Sequence, residues 1–202
     1  TFVQRSDENT KRDFPFDYEL KIKYTINGDT VTNEYIVTNT GEDKLPFVIG
    51  GHPAFNCPLT KNEKFEDYKV VFDKKITKPC LRPNHHTGLV NVFEKFDEMH
   101  GGDTLSLVHE LFEEKDALIF ENCEAKSATL IGKSGKGVKI EFQDMNNLLI
   151  WSAVGNAPFV ALEPWTGLAS CNDEDGLFEH KRGMTVLEKD ETASFKFKIT
   201  MI

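Results

Sequence analysis

Two ionisable side chains each stand alone in an apolar segment, and each precedes a proline. His52 lies in residues 50–56, Gly-Gly-His-Pro-Ala-Phe-Asn, and Glu163 lies in residues 159–165, Phe-Val-Ala-Leu-Glu-Pro-Trp. A residue before proline is kept out of the helical region, so both backbones are expected to be extended and stiff. An imidazole and a carboxylate held in this way are suited to general acid/base catalysis. We therefore predict that His52 and Glu163 form a catalytic pair.

The residue types leave a second interpretation open. A histidine in an apolar segment can instead be a hydrogen-bonded core residue, and a glutamate before Pro-Trp can mark the end of a strand. His52 and Glu163 are 111 positions apart in sequence. They can act together only if the fold brings their segments side by side, so the surrounding elements decide between the interpretations.

The elements around these segments are predicted to be strands. Residues 17–24 alternate between apolar and charged side chains, Asn27-Gly28 supplies the positive φ values of a hairpin turn, and residues 31–37 alternate again. Further strands are predicted at residues 45–49, 68–72, 116–120, 128–131, 138–142, 148–152, 159–163 and 195–199. About ten strands with hardly any helix predict an all-β fold, an antiparallel sandwich or barrel, which residues 1–202 form as a single domain.

Two segments are not assigned to strands. Residues 79–88 contain two prolines and His85-His86, and they are predicted to be a loop. Residues 103–112 fit either a short helix capped by Asp103 or a strand. Both interpretations of this second segment remain open from the sequence.

Charge and cysteine usage exclude several classes of protein. The net charge of -9 and the pI of about 5.2 argue against a nucleic-acid partner, which needs clustered Lys and Arg. No apolar run approaches the ~18 residues of a membrane span, so no membrane association is expected. Four cysteines are widely spaced without a CxxC pair, a pattern typical of reduced thiols in the cytoplasm: Cys57, Cys80, Cys123 and Cys171.

The histidines outside the predicted pair are not expected to bind a metal. His85 and His86 are adjacent, so on a strand they would point to opposite faces, and neither has an HxxxH or carboxylate partner at a suitable spacing. His100 lies beside Gly101-Gly102 and is expected in a loop. The sequence also has no Gly-rich phosphate loop. We therefore predict no metal and no other cofactor.

Three motifs together resemble the aldose 1-epimerase (galactose mutarotase) family, in particular its LacX-like branch. They are residues 50–56, residues 116–120 (Asp-Ala-Leu-Ile-Phe) and residues 162–165 (Leu-Glu-Pro-Trp), and the resemblance runs along the whole chain in this order. The resemblance implies a large, twisted antiparallel β-sandwich with a sugar-binding cleft across one sheet. It also implies a small-molecule sugar substrate.

The resemblance further implies that the protein interconverts the α and β anomers of a hexose. His52 would be the general acid that protonates the ring oxygen, and Glu163, taken as deprotonated at neutral pH, the base that accepts the anomeric proton. Asp116 would bind sugar hydroxyls. Asn56 of the first motif and Trp165 are predicted as further substrate contacts, Trp165 by stacking on the sugar. Trp151 and Phe55 are weaker candidates for such stacking.

The beginning of the chain departs from the family's pattern. Members of the family carry further strands and an Arg-His-Gly-Phe segment ahead of the first hairpin, and nothing in this sequence matches that segment. We therefore expect the chain to lack the N-terminal part of the domain and to begin with a poorly paired strand. An open sheet edge of this kind could mediate association with another chain.

Two other functions remain open. The first is a non-catalytic carbohydrate-binding β-sandwich, or an inactive fragment of the enzyme, because a fold does not fix a function. The second is glycoside hydrolysis, which needs two carboxyl groups and for which Asp116 and Glu163 are the candidates. The three functions differ in their products, so polarimetry on fresh α-glucose or α-galactose separates them.

Overall fold

The computed structural model describes residues 1–84, 86–113 and 116–202, and these are built mainly from strands. In chain order the strands are β1 (Phe2–Arg5), β2 (Tyr18–Asn27), β3 (Thr30–Asn39), β4 (Leu45–Phe47), β5 (Ala54–Asn56), β6 (Tyr68–Phe72), β7 (Cys80–Pro83), β8 (Val90–Phe96), β9 (Thr104–Ser106), β10 (Leu118–Phe120), β11 (Ser127–Gly132), β12 (Gly137–Glu141), β13 (Asn147–Trp151), β14 (Phe159–Trp165), β15 (Thr185–Leu187) and β16 (Thr192–Met201). Within the described residues, helix is limited to α1 (Thr10–Asp13), α2 (Glu110–Glu113) and the 3-10 turns Phe65–Asp67 and Phe178–His180. The prediction of an all-β protein is confirmed.

The strands form two large antiparallel sheets. The first has eight strands in the order β1-β2-β3-β16-β12-β11-β6-β9, and the second has six in the order β5-β14-β13-β10-β7-β8. A short ribbon of β4 and β15 packs against β2, β3 and β16. The predicted antiparallel sandwich is confirmed.

The main hydrophobic core lies between the two sheets. Val160 and Leu162 of β14 point into it, where they join buried side chains of the eight-stranded sheet such as Ile140 and Phe72. Side chains alternate along a strand, so Glu163 must point the other way. We call this opposite side of the six-stranded sheet its outer face.

The outer face of the six-stranded sheet is largely apolar. It carries a second buried cluster in which strand residues contact a loop that follows β14: Leu81, Val90, Ala117, Ile119, Leu149, Leu168 and Cys171. Trp151 and Trp165 pack against this cluster. Glu163 is therefore an ionisable group set in an apolar surface.

The first hairpin is confirmed, with its turn one position later than predicted. Asn27 still pairs with Thr30, and Gly28 adopts a φ of 57°. Gly28 and Asp29 therefore form the two-residue loop.

The two unassigned segments contain regular structure. Residues 79–88 were predicted to be a loop, and this is wrong for β7, whose last residue is Pro83. A proline can end a strand because it removes only a backbone donor. Within the same segment, His85 lies outside the described residues. Residues 103–112 contain strand β9 and the start of helix α2, so each alternative holds for part of that segment.

Strand β1 is paired, contrary to the expectation for the start of the chain. It pairs with β2 at four positions, from Phe2↔Ile22 to Arg5↔Glu19. All of its residues are exposed, because β1 is the last strand of the eight-stranded sheet. Association through this edge stays a prediction.

Candidate acid/base site

His52 and Glu163 face each other across adjacent segments. Two antiparallel pairs flank them: Gly50↔Trp165 and Ala54↔Ala161. Both pairs belong to one register, which places His52 directly opposite Glu163 on the outer face. His52 Nε2 lies 3.3 Å from Glu163 Oε1. The structure thus brings together the two residues that the sequence singled out, and we call them the acid/base pair.

The two prolines occupy the neighbouring positions of the same ladder. The Gly51 N–H donates to the Pro164 carbonyl (3.0 Å), and the Leu162 N–H donates to the Pro53 carbonyl (3.1 Å). These are the hydrogen-bonded positions of the ladder, and the acid/base pair sits at the non-hydrogen-bonded position between them. Opposing Cα atoms are closest at such positions, about 4.5 Å apart. Local backbone geometry therefore explains why the two side chains meet.

Two glycines let the His52 segment lie flat against the molecule. A Cβ atom on Gly51 would come within 2.5 Å of Phe197 Cε1, and one on Gly50 would overlap the indole of Trp165. The same indole donates from Nε1 to the Gly51 carbonyl (3.2 Å). The Gly-Gly dipeptide of the motif is therefore required for the close approach of the backbone to these rings.

The two members of the acid/base pair differ in their surroundings. The His52 side chain is 58% exposed, whereas that of Glu163 is 3% exposed. Burial, aided by the negative charge of Asp116, raises the pKa of Glu163 to about 7, while the Trp165 indole N–H opposes this change. The expectation that Glu163 is fully deprotonated at neutral pH is therefore wrong, because the reference value applies to a solvated carboxyl group. A carboxyl group with this pKa can both accept and return a proton near neutral pH.

Asp116 lies just ahead of β10, which begins at Leu118, rather than inside a strand. Its φ of 55° is in the left-handed region, which aspartate tolerates better than most residues. Its N–H donates to the Phe112 carbonyl (3.3 Å), and its carbonyl accepts a hydrogen bond from Arg82 Nη1 (3.3 Å). Asp116 is thus held at both backbone groups, close enough for its charge to act on Glu163.

The other two predicted sugar contacts share the outer face but lie at different distances from the acid/base pair. Trp165 is two residues after Glu163 and shares the outer face with it. Asn56 pairs with Phe159 on that face, but the four-residue offset from Glu163 puts it about 13 Å away along the strand. The structure therefore brings Trp165, and not Asn56, to the acid/base pair.

Of the two weaker aromatic candidates, one contacts the pair. The Trp151 ring is edge-on to the His52 imidazole, with centroids 5.7 Å apart. Phe55 packs against the core between the sheets, so it faces away from the site.

A cavity opens beside His52 and Trp165. Its volume is about 350 Å³, and its walls are residues 48–51 and 167–169. This volume is within the range of small-molecule sites. Asn147 fixes one wall, because its side-chain amide donates to the carbonyls of Trp165, Thr166 and Gly167.

Two buried polar residues with contacts near the site were missed from the sequence. Asn147 could not be recognised from the sequence, because one amide in an apolar strand does not predict which backbone carbonyls later in the chain it will contact. Arg82 was overlooked because its segment was assigned to a loop. An arginine between Leu81 and Pro83 in an otherwise apolar stretch could have marked a buried charge.

The cysteines take no part in the site. All four are free and buried, and burial raises the pKa of Cys57 to about 12 and that of Cys123 to about 11. Such thiols stay protonated and are poor nucleophiles. Among the described residues, no group of three or more His, Cys, Asp or Glu side chains is placed to hold a metal ion. In the same part of the chain, no helix has the length and apolar character needed to cross a membrane.

Comparison with known proteins identifies the class to which this β-sandwich belongs. The family model for aldose 1-epimerase matches residues 1–200. The chain therefore belongs to the aldose 1-epimerase family. The plasmid-encoded protein LacX of Lactococcus lactis subsp. lactis is 34% identical over the whole chain, which spans 68% of that protein.

Solved structures agree with this assignment. A galactose mutarotase related enzyme from Lactobacillus acidophilus superposes with a TM-score of 0.90 at 25% identity, over all of this chain and 67% of that one. A galactose mutarotase-like protein from Lactobacillus casei gives a TM-score of 0.84 at 29% identity, over all of this chain and 69% of that one.

Proposed function

We infer that this protein is an aldose 1-epimerase that interconverts the α and β anomers of a hexose, with Glu163 as base and His52 as acid. The observation that carries the proposal is the 3.3 Å separation of His52 Nε2 and Glu163 Oε1. The reaction moves protons at two oxygens that are bonded to the same anomeric carbon. An acid and a base that are immediate neighbours on one face match that arrangement.

The reaction needs only proton transfers between the sugar and these two side chains. Glu163 takes the proton of the anomeric hydroxyl, and the electron pair of that O–H bond forms the carbonyl. The bond from the anomeric carbon to the ring oxygen breaks, and the ring oxygen takes a proton from His52. Rotation of the open-chain aldehyde then presents the opposite face of the carbonyl to the freed hydroxyl, which attacks it. The hydroxyl returns its proton to His52, and the carbonyl oxygen recovers a proton from Glu163.

The different exposure of the two groups suits these roles. The exposed imidazole of His52 can reach a bound sugar and can exchange its proton with solvent. The buried carboxyl of Glu163, with its pKa of about 7, needs little free energy to change its protonation state during turnover. Trp151 and Trp165 flank the pair and offer apolar ring faces to the C–H side of a sugar.

Polarimetry tests the proposal. Addition of the protein to freshly dissolved α-galactose or α-glucose should speed the change in optical rotation. Glu163→Gln and His52→Asn should each lower that rate by ~10²- to 10⁴-fold. The losses should not multiply in the double variant, because either substitution already stops the coupled transfers. Glu141→Gln, at a half-buried strand carboxylate paired with Lys139, is the matched control and should keep the parent rate.

The same preparation separates the alternatives. If the protein binds the sugar but leaves the rate of mutarotation unchanged, it is a carbohydrate-binding module. Release of new reducing ends from a disaccharide, abolished by Asp116→Asn, would instead indicate a glycosidase.

A further inference from the structure

Arg82 is an unusual residue for the interior of a strand. Its side chain is only 2% exposed, and its guanidinium lies 5.6 Å from the ring centroid of Phe96. Nη2 pairs with Glu98 Oε1 at 2.9 Å. In the part of the chain that the structure describes, its Nε has no hydrogen-bond partner. A buried charge with an unmatched donor is poorly explained by stability alone.

The remaining contacts of Arg82 point to the site. Nη1 donates to two backbone carbonyls, that of Leu111 at 2.8 Å and that of Asp116 at 3.3 Å. These carbonyls belong to the start of helix α2 and to the residue that enters β10. One nitrogen thus holds together the two ends of residues 111–116.

We propose that Arg82 is a positioning residue of the acid/base site, which acts by fixing Asp116 in its left-handed conformation so that the Asp116 carboxylate stays within electrostatic range of Glu163. Among the described residues, the guanidinium bonds to the backbone carbonyl of Asp116 and not to the side chains of the acid/base pair. Its role in the reaction rests on the proposed function, but its hold on Asp116 does not.

The physical link between Arg82 and the base is electrostatic. The charged and titratable groups that act on Glu163 are His52 on the opposite segment and Asp116 ahead of β10, with the Trp165 indole as a dipole. Of these, only Asp116 bonds to Arg82. If Asp116 moves away, Glu163 loses the negative charge that opposes its ionisation, and its pKa falls.

A carboxyl titration tests the proposal without any need for activity. Glutamate ¹³C-labelled at the side-chain carboxyl is incorporated into the whole chain, and the Glu163 resonance is assigned by its loss in Glu163→Gln. The parent should titrate with a midpoint near 7. Asp116→Asn should lower this midpoint toward, but not to, the ordinary value of 4.5, because burial remains. Arg82→Lys keeps the charge, but one ammonium nitrogen cannot replace both Nη1, which holds the two carbonyls, and Nη2, which pairs with Glu98. It should therefore shift the midpoint in the same direction.

The double variant distinguishes positioning from a direct effect of the Arg82 charge. In an Asp116→Asn background, Arg82→Lys should cause no further change in the Glu163 midpoint. Arg182→Lys is the matched control, since Arg182 pairs with the side chains of Asp173 and Glu121 and not with Asp116, and it should leave the midpoint unchanged.

Two results would overturn the proposal: a folded Arg82→Lys variant with the parent midpoint, or an equal shift with and without Asp116. If Arg82→Lys does not fold, Glu98→Gln provides the same test, because it keeps a hydrogen bond but removes the ion pair that anchors the guanidinium. It should lower the midpoint by less than Asp116→Asn does, and an unchanged midpoint would count against the proposal. Because the readout is a titration, a protein without epimerase activity would refute the proposed function and leave this result intact.

Discussion

Replacing the proposed base should make the folded protein more stable, by an amount that depends on pH. Glu163 is 3% exposed, and its pKa is raised from 4.5 to about 7. Such a difference corresponds to about 3 kcal/mol of destabilisation when the folded protein must hold the ionised carboxylate. Glutamine has nearly the same shape and stays neutral, so Glu163→Gln removes this penalty.

The sign of the effect follows from the two protonation equilibria. Below pH 4.5 Glu163 is protonated in both the folded and the unfolded chain, so the penalty is absent. Between pH 4.5 and about 7 the unfolded chain releases the proton and the folded chain retains it, so folding becomes progressively less favourable. Above about pH 7 both states are ionised and the penalty is complete.

Urea denaturation of the parent and of Glu163→Gln at pH 3.5 and pH 8.5 measures this difference. The two free energies of unfolding should agree at the lower pH, and the variant should be more stable by about 3 kcal/mol at the higher pH. Glu141→Gln should show no such pH-dependent difference. A Glu163→Gln variant that is equally stable or less stable than the parent at pH 8.5 would refute the argument that burial sets the protonation of this group.

Three further predictions concern the surroundings of the pair. Gly51→Ala should push the His52 segment away from Phe197 and lower the mutarotation rate measured by polarimetry by ~10²-fold, because a misplacement of about 1 Å has that effect. A rate equal to that of the parent would contradict the close packing. The pH–rate profile of the parent should have a rising limb centred near pH 7, where Glu163 loses its proton; a profile without that limb would exclude Glu163 as the base. Asn147→Ala should lower the free energy of unfolding by about 2 kcal/mol, since the two amide N–H groups that three carbonyls share are lost; thermal unfolding with an unchanged Tm would show that water replaces the amide.

The sequence carried much of the fold and the core of the site, for reasons that are local. Alternation of side chains identified strands such as β2, β3 and β16, and an isolated ionisable residue before proline identified each half of the acid/base pair. The register between these halves joins segments 111 residues apart, and no local pattern encodes it.

What the sequence did not reveal depends on the completed tertiary structure. The raised pKa of Glu163 results from burial by side chains of other strands. Arg82 bonds to carbonyls that are distant in the chain, those of Leu111 and Asp116. Its strand was not recognised because prolines lie on both sides of it. Asn56 lies in the right motif and on the right face, yet the four-residue offset along the strand places it about 13 Å from the pair.

The ladder that joins β14 to residues 49–54 restricts how this site can evolve. Insertion or deletion of one residue inside it would turn His52 to the opposite face of the sheet. Such changes within the ladder are therefore expected to abolish activity. The loop that follows β14 lies outside this ladder, and its residues 167–169 line the cavity beside His52. A change in the length of this loop can therefore reshape the cavity while His52 and Glu163 stay opposite each other.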